Sequence, residues 1–296
     1  MGEVNLRSDV LAIPDVLAQV KPRKIEVVDG TVFMGSGSSF HVAMYAKYIH
    51  LSRGVWCDAR DTGDYSAGPV KNAVVISVSG GKDAVKMARW AKERGAYVSL
   101  VTCNENALAS EVADDVHFVT ERESGFVNTR TIVAMMYYIA GAAGVKGVSD
   151  LPGVIRGRLE GESSFISSLA SRIPGRPVWF VGGGYTYVAA LQAALKLREV
   201  TGVLTYPVSF GEFCHGRVFH RDNSLFILIN EHKGVSGFLK EAGFEHHILR
   251  SQLKGPLSTI EALSLLYLLV EEVREKLGVR LMPLLSLAKR YAGWRV

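Results

Sequence analysis

Cysteine is scarce: Cys57, Cys103 and Cys214 lie far apart among 296 residues, with no CxxC pair. That spacing supports neither a disulfide framework nor a Cys-rich zinc site, and it points to a reducing compartment, the cytoplasm. Long apolar runs are missing too. The longest, Ile132 to Val145, has 14 residues, too few to cross a bilayer and suited to a buried helix. At the N-terminus, Met1-Gly2-Glu3-Val4 shows no basic region followed by an apolar one, so no secretory signal is expected. No strong charge of one sign accumulates. The formal charge of +5 fits an anionic ligand, but the densest basic spot, Lys21-Pro22-Arg23-Lys24, is short and lacks interleaved aromatics. A nucleic-acid surface is therefore not expected. His220, His232 and His246-His247 come without an HExxH or carboxylate spacing, so no metal or other cofactor is expected. Glutamine is limited to Gln19, Gln192 and Gln252, and Arg outnumbers Lys, a bias in the direction of thermophilic proteins.

What is present is an ordinary globular composition, 48% hydrophobic and 21% charged, enough to fill two cores. Apolar runs at Thr31–Met34, Val55–Cys57, Ala73–Val78, Tyr97–Cys103 and Val116–Val119 predict short buried strands. Helical patterns follow at Phe40–Ser52, Asp83–Arg94 and Ala107–Ala113, and a longer one at Thr129–Ala143 closes the half. Alternation at this spacing predicts a parallel sheet covered on both faces. Between Gly147 and Arg176 the pattern weakens among Pro152, Gly153, Gly157, Gly161, Pro174 and Gly175, which predicts a helical connector and a boundary near residue 150. The pattern then restarts: a strand at Pro177–Val181, the turn Gly182-Gly183-Gly184, and a helix at Tyr185–Val200. Strands at Leu225–Asn230 and His246–Leu249 follow, then an amphipathic helix from about Ser258 to Leu277. The expectation is an α/β chain of two doubly wound, flavodoxin-like parallel-sheet domains in tandem, 1–150 and 151–296. Ligand should bind at the carboxyl ends of the strands.

Two turns could hold an anion. In Gly35-Ser36-Gly37-Ser38-Ser39-Phe40 a strand empties into a helix N-terminus, where unpaired N–H groups and the helix dipole favour negative charge. A dinucleotide fingerprint is the rival, with Asp58 near the ribose-binding position, but Phe40 stands at the third glycine. Val74–Asp83 repeats the design: Ser77 and Ser79 lie two apart at a strand end, and Lys82 starts the next helix. No Walker A pattern occurs. Further on, Lys196 and Glu199 stand at i,i+3 on one helix face. A positioned carboxylate can take and return a proton, and a lysine can tune it; a surface ion pair is the plainer alternative. His215, after an apolar strand and turn at Phe213-Cys214, could deliver a proton near neutrality or be a structural histidine.

These segments carry a family resemblance. GSGSSFHVAMYAKY (35–48) and VVISVSGGKDAVKMARWAKERGA (74–96) resemble the first SIS (sugar isomerase) domain of the isomerase half of glucosamine-6-phosphate synthase. Glu123-Ser124-Gly125-Phe126-Val127-Asn128-Thr129-Arg130 is similar to that family's E-x-G-V-A-S-T-K. ALQAALKLREVTGVLTYPVSFGEFCHG (190–216) resembles its A-L-E-G-A-L-K-L-K-E-I-S…G-E-L-K-H-G block, and Ser286-Leu287-Ala288-Lys289 its N-L-A-K. The likeness runs from about residue 31 to 289. It implies that Gly37, Ser38, Ser39, Ser77, Ser79, Lys82, Phe126 and Ala288 contact the sugar phosphate. It also implies that Glu199 is the isomerisation base with Lys196 beside it, and that Lys289, in a C-terminal catalytic tail, contacts the open-chain sugar. His215 would open the ring and reach the site from a neighbouring subunit, which implies a homodimer with shared sites. Two departures bear on substrate identity: the family's S-Q-S-G-E-T is here Ser77-Val78-Ser79-Gly80-Gly81-Lys82, and Arg217 replaces the proline after K-H-G.

The chain leaves no room for a glutaminase domain and has Gly2 rather than a nucleophilic Cys there, so ammonia is not expected to come from glutamine. The resemblance implies a sugar-phosphate enzyme like the stand-alone double-SIS proteins, of the archaeal type, that act as isomerising glucosamine-6-phosphate deaminases. A hexose-phosphate aldose–ketose isomerase is the near alternative. A non-catalytic sugar-phosphate regulator is the other, although the first 30 residues are too short and unpatterned for a helix-turn-helix segment.

Overall fold

A computed structural model describes residues 6–65, 68–123, 127–215 and 223–279. Two short helices, α1 (Leu6–Leu11) and α2 (Ile13–Gln19), come first. Strands and helices then alternate as β1 (Thr31–Gly35), α3 (Ser38–Leu51), β2 (Cys57–Asp61), β3 (Asn72–Ser77), α4 (Lys82–Lys92), β4 (Tyr97–Thr102) and β5 (Asp115–Phe118), closed by α5 (Arg130–Ala142). Helices α6 (Leu151–Gly161) and α7 (Ser163–Ala170) lead to β6 (Val178–Gly182), α8 (Tyr185–Thr201), β7 (Thr205–Ser209), one-turn α9 (Phe210–Phe213) and β8 (Leu225–Ile229). The last elements are α10 (Lys233–Glu241), β9 (His246–Leu249) and α11 (Pro256–Leu277).

All the strands pair in parallel. The first sheet has the order β2-β1-β3-β4-β5 and the second β7-β6-β8-β9. The first is the flavodoxin-like doubly wound order, and the second repeats it one strand shorter. Strands β1, β6 and β8 are buried at every position, as strands covered on both faces must be. Neither sheet is closed, so each has edges, and at one edge of each the sequence signal is weak. At one edge β2, Cys-Asp-Ala-Arg-Asp, begins where the expected strand Val55–Cys57 ends, because an edge strand can carry polar groups toward water. Its Asp58 is engaged by Lys47 Nζ at 2.8 Å and Arg60 Nε at 3.3 Å, a structural use rather than a ribose contact. Edge strand β7 contains Pro207, which hides it from pattern reading.

Two further expectations need correction. Residues 107–113 form a single 3-10 turn, Leu108–Glu111, instead of a helix. Ala107 is pressed against the Gly80 turn, and Ala109 N–H is spent on Gly80 C=O at 3.0 Å. The helix at the end of the described chain, α11, is not amphipathic. It is buried on all sides from Leu257 to Val270 and packs against α1, α5, α6, α7 and α8. An apolar all-round helix belongs in the middle of a structure. One continuous core joins α11 to the inner faces of both sheets, while smaller clusters fill the outer faces. Buried Glu261 accepts the N–H groups of Gln252 and Leu253 at 2.9 Å each and is ion-paired with Arg158, whose Nε lies 3.0 Å away.

Residues Leu6, Val10, Ile13 and Leu17 of α1 and α2 point into the same core. Among the described residues no helix is long and apolar enough to cross a membrane.

Candidate functional site

In a doubly wound sheet the crevice opens where consecutive connections leave in opposite directions, here between β1 and β3. The turns leaving those two strands line a cleft of about 640 Å³. The first is built by glycine. A Cβ on Gly35 would sit 2.5 Å from the Ser39 carbonyl group, so only glycine lets α3 start so close to the strand. Gly37 follows with φ 55° and ψ −120°, a conformation that side chains resist. Ser39 N–H bonds Ser36 C=O and Phe40 N–H bonds Gly37 C=O, which leaves the amides of Gly37 and Ser38 without an acceptor among the described residues. The second turn uses Ser77, whose hydroxyl accepts Gly80 N–H at 3.1 Å, with Gly80 at φ 57°. Helix α4 then begins at Lys82 with no side-chain cap, and its first intrahelical bond runs from Val85 N–H to Gly81 C=O. Two uncapped helix N-termini thus face one space.

Ser38, Ser39, Ser77, Ser79, Gly37 and Lys82 all line this cleft, as do Lys196 and Glu199 from α8. Side chains of charge add up in one direction: Lys82, Lys86, Arg122 and Lys196 against Asp83 and Glu199. The cleft therefore suits an anion.

Lys196 Nζ contacts Glu199 Oε2 at 2.7 Å; the lysine side chain is 4% exposed and the carboxylate 38%. The plain surface-pair alternative fails on the first number. A buried ammonium needs its counter-ion, so Glu199 is fixed in place while one side of it stays open to the cleft. Glu123, also in the E-x-G segment, has a structural role. It is buried and accepts the N–H groups of Thr129 at 2.6 Å and Arg130 at 2.9 Å, plus Thr131 Oγ1 at 2.7 Å. Burial raises its carboxyl above the usual range, against those donors. It anchors the start of α5 and with it Val127 and Asn128 on the cleft wall.

His215 does not join this group. It is exposed, it follows helix α9 rather than a strand, and it is not part of the cleft in its own chain. Phe126, Ala288 and Lys289 lie outside the described residues. Ser36, already part of the expected turn, lines the cleft too; sequence reasoning missed Lys86, Arg122 and Asn128 at the cleft and Gln192 and His41 beneath it. Only Gln192 gave a usable signal: an amide four residues before Lys196 on a helix whose neighbouring positions are Ala and Leu.

No protein-family model matches the chain. Among curated proteins it is 27% identical over 216 residues to glutamine–fructose-6-phosphate aminotransferase (isomerizing) of Methanothermobacter thermautotrophicus, covering 68% of this chain and 37% of that protein. The Haemophilus influenzae protein of the same name is 23% identical over 231 residues, 69% of this chain and 38% of that one. The chain thus spans well under half the length of these relatives. Among solved structures, the C-terminal domain of glucosamine-fructose-6-phosphate aminotransferase from Francisella tularensis superposes with a TM-score of 0.75. That match has 16% identity and covers 92% of this chain and 96% of the other. Glucosamine-6-phosphate deaminase from Thermotoga maritima gives 0.76 at 15% identity, covering 93% and 95%. The chain is similar over about two thirds of its length to part of the isomerizing aminotransferases, and it shares the tandem parallel-sheet fold of these structures.

Proposed function

We propose that the chain is a sugar-phosphate isomerase of the deaminating kind, converting a hexosamine 6-phosphate and water to fructose 6-phosphate and ammonia. The observation that carries this reading is the placement of Glu199, held by buried Lys196, on the same cleft as the two serine turns. Phosphate would sit on the amides and hydroxyls of the Ser36–Ser39 and Ser77–Ser79 turns, with Lys82 as a point charge. That anchors the far end of the sugar and brings C1 and C2 toward Glu199. The carboxylate removes the C2 proton of the open-chain 2-amino aldehyde, giving an enolamine, and returns it at C1, which leaves the imine at C2. Lys196 offsets negative charge on the carboxylate and the enol-like intermediate. Water then adds to the resulting ketose imine, and ammonia leaves. By the family resemblance, His215 of a neighbouring subunit opens the ring and Lys289 meets the open chain, which makes the working unit a homodimer.

A hexose-phosphate isomerase would use the same base without amine loss. Its favouring observation is the second turn, where Gly81 and Lys82 stand in place of the family's acid and threonine. Purified protein is offered glucosamine 6-phosphate, with ammonia and fructose 6-phosphate measured, and in parallel glucose 6-phosphate. Equal release of ammonia and ketose is expected. Ketose from the neutral sugar alone would transfer the assignment to the isomerase, and no product from either would sink both.

A further inference from the structure

Beneath the cleft, the amide of Gln192 bridges the two parts of the site. Its Nε2 donates to Ser38 C=O at 2.8 Å, across the α3–α8 contact. Ser38 is the first residue of α3, in the turn whose amides face the cleft. Gln192 lies one helical turn before Lys196, which in turn holds Glu199, so the three side chains share one face of α8. The amide is wholly buried. Its Oε1 and the Nδ1 of His41 are both buried polar atoms without a hydrogen-bond partner. His41 sits one turn after Ser38, on the same side of α3. Burial, and then the nearby Lys196 charge, push this imidazole down to about 4, only partly opposed by the Gln192 amide beside it, which keeps it neutral beside the ammonium.

A helix pair held by packing alone would do better with apolar side chains here, since unpaired buried polar groups cost stability. The position carries an amide whose one full hydrogen bond goes to the backbone of the serine turn.

We infer that Gln192 is a positioning residue, tying the Ser38 turn to the Lys196–Glu199 pair so that a phosphate seated on the turn sets the base at its working distance. The inference rests on the sugar-phosphate reading above, but not on which sugar is used. Gln192 touches no substrate; its effect passes through Ser38 on one side and Lys196 on the other.

Gln192→Met keeps volume and removes both hydrogen-bonding ends. The melting temperature should hold within a few degrees, KM for the sugar phosphate should change less than about threefold, and kcat should fall about tenfold. A purely structural role would lower the melting temperature and leave kcat alone, and that result overturns the inference. Gln192→Asn, which keeps the amide and shortens its reach, serves with the same readout should the methionine variant fail to fold. A second arm needs no turnover. Inorganic phosphate is titrated into wild type, Glu199→Gln, Gln192→Met and the double variant. A departure from additivity of at least about threefold in Kd is expected, whereas additive effects overturn the link. A wild type that binds phosphate and turns over no sugar phosphate removes the proposed reaction, and the titration then decides the inference alone.

Discussion

The chain builds the same strand–turn–helix twice and uses the copies differently. Gly35 and Gly182 both meet the backbone four residues on, at 2.5 Å for a hypothetical Cβ. Gly37 and Gly184 share φ 55°, with ψ −120° and −122°. The first turn presents Ser36, Ser38 and Ser39 to an open cleft. The second is sealed: Thr186 Oγ1 accepts Gly183 N–H at 3.0 Å, and the Phe210 ring lies where any side chain on Gly183 would go. Phe210 in turn packs on His232, with ring centroids 4.6 Å apart. Backbone shape alone therefore does not make a ligand site; the side chains around it decide. The sealed turn launches α8, which travels 14 residues, about 21 Å, to deliver Glu199 to the other lobe's cleft. One copy holds, and the other aims.

The largest effect should come from Glu199→Gln: turnover falls about a hundredfold or more while fructose 6-phosphate still raises the melting temperature. Unchanged turnover would remove the aimed residue from the chemistry. Gly35→Ala and Gly182→Ala sharpen the contrast, since both introduce the same overlap and should each cost about 1–3 kcal/mol in denaturant unfolding. Their functional costs should differ. Gly35→Ala is expected to lose sugar-phosphate binding, whereas Gly182→Ala keeps binding, within a few-fold, and loses kcat. Identical losses in both variants would erase the division of roles. The smallest effect is expected from Phe210→Ala. It uncovers the second turn, yet calorimetric titration should still find one phosphate per chain, because no serines are there to receive another. A second equivalent would mean that the ring alone keeps that site shut.

The sequence made the buried strands and the serine turns legible, since a strand covered on both faces and a glycine-forced turn each leave a local mark. Strand β9 is met at its expected bounds, and α8 within one residue. Edge strands β2 and β7 were obscured by the polarity and proline that edges tolerate. Helix α10 was missed as well, with glycines at 234 and 237 weakening its pattern. The burial of α11 depends on five helices arriving from elsewhere in the chain, which no local window contains. At the site, the i,i+3 spacing of Lys196 and Glu199 was visible, but the burial that separates an anchored pair from a surface one was not. Arg122 and Asn128 reach the cleft only through the anchoring of α5 by Glu123, a tertiary consequence. The resemblance carried the rest.

Helix α11 has a consequence for how the molecule comes apart. Because its sides are shared among helices from both ends of the chain, the inner faces of the two sheets have one interior in common, and only the smaller outer-face clusters are private. Heat or denaturant should meet one melting body rather than two in succession. The halves would have to assemble around a segment that a ribosome makes late, so the first sheet must wait, partly uncovered, for the helix that completes it.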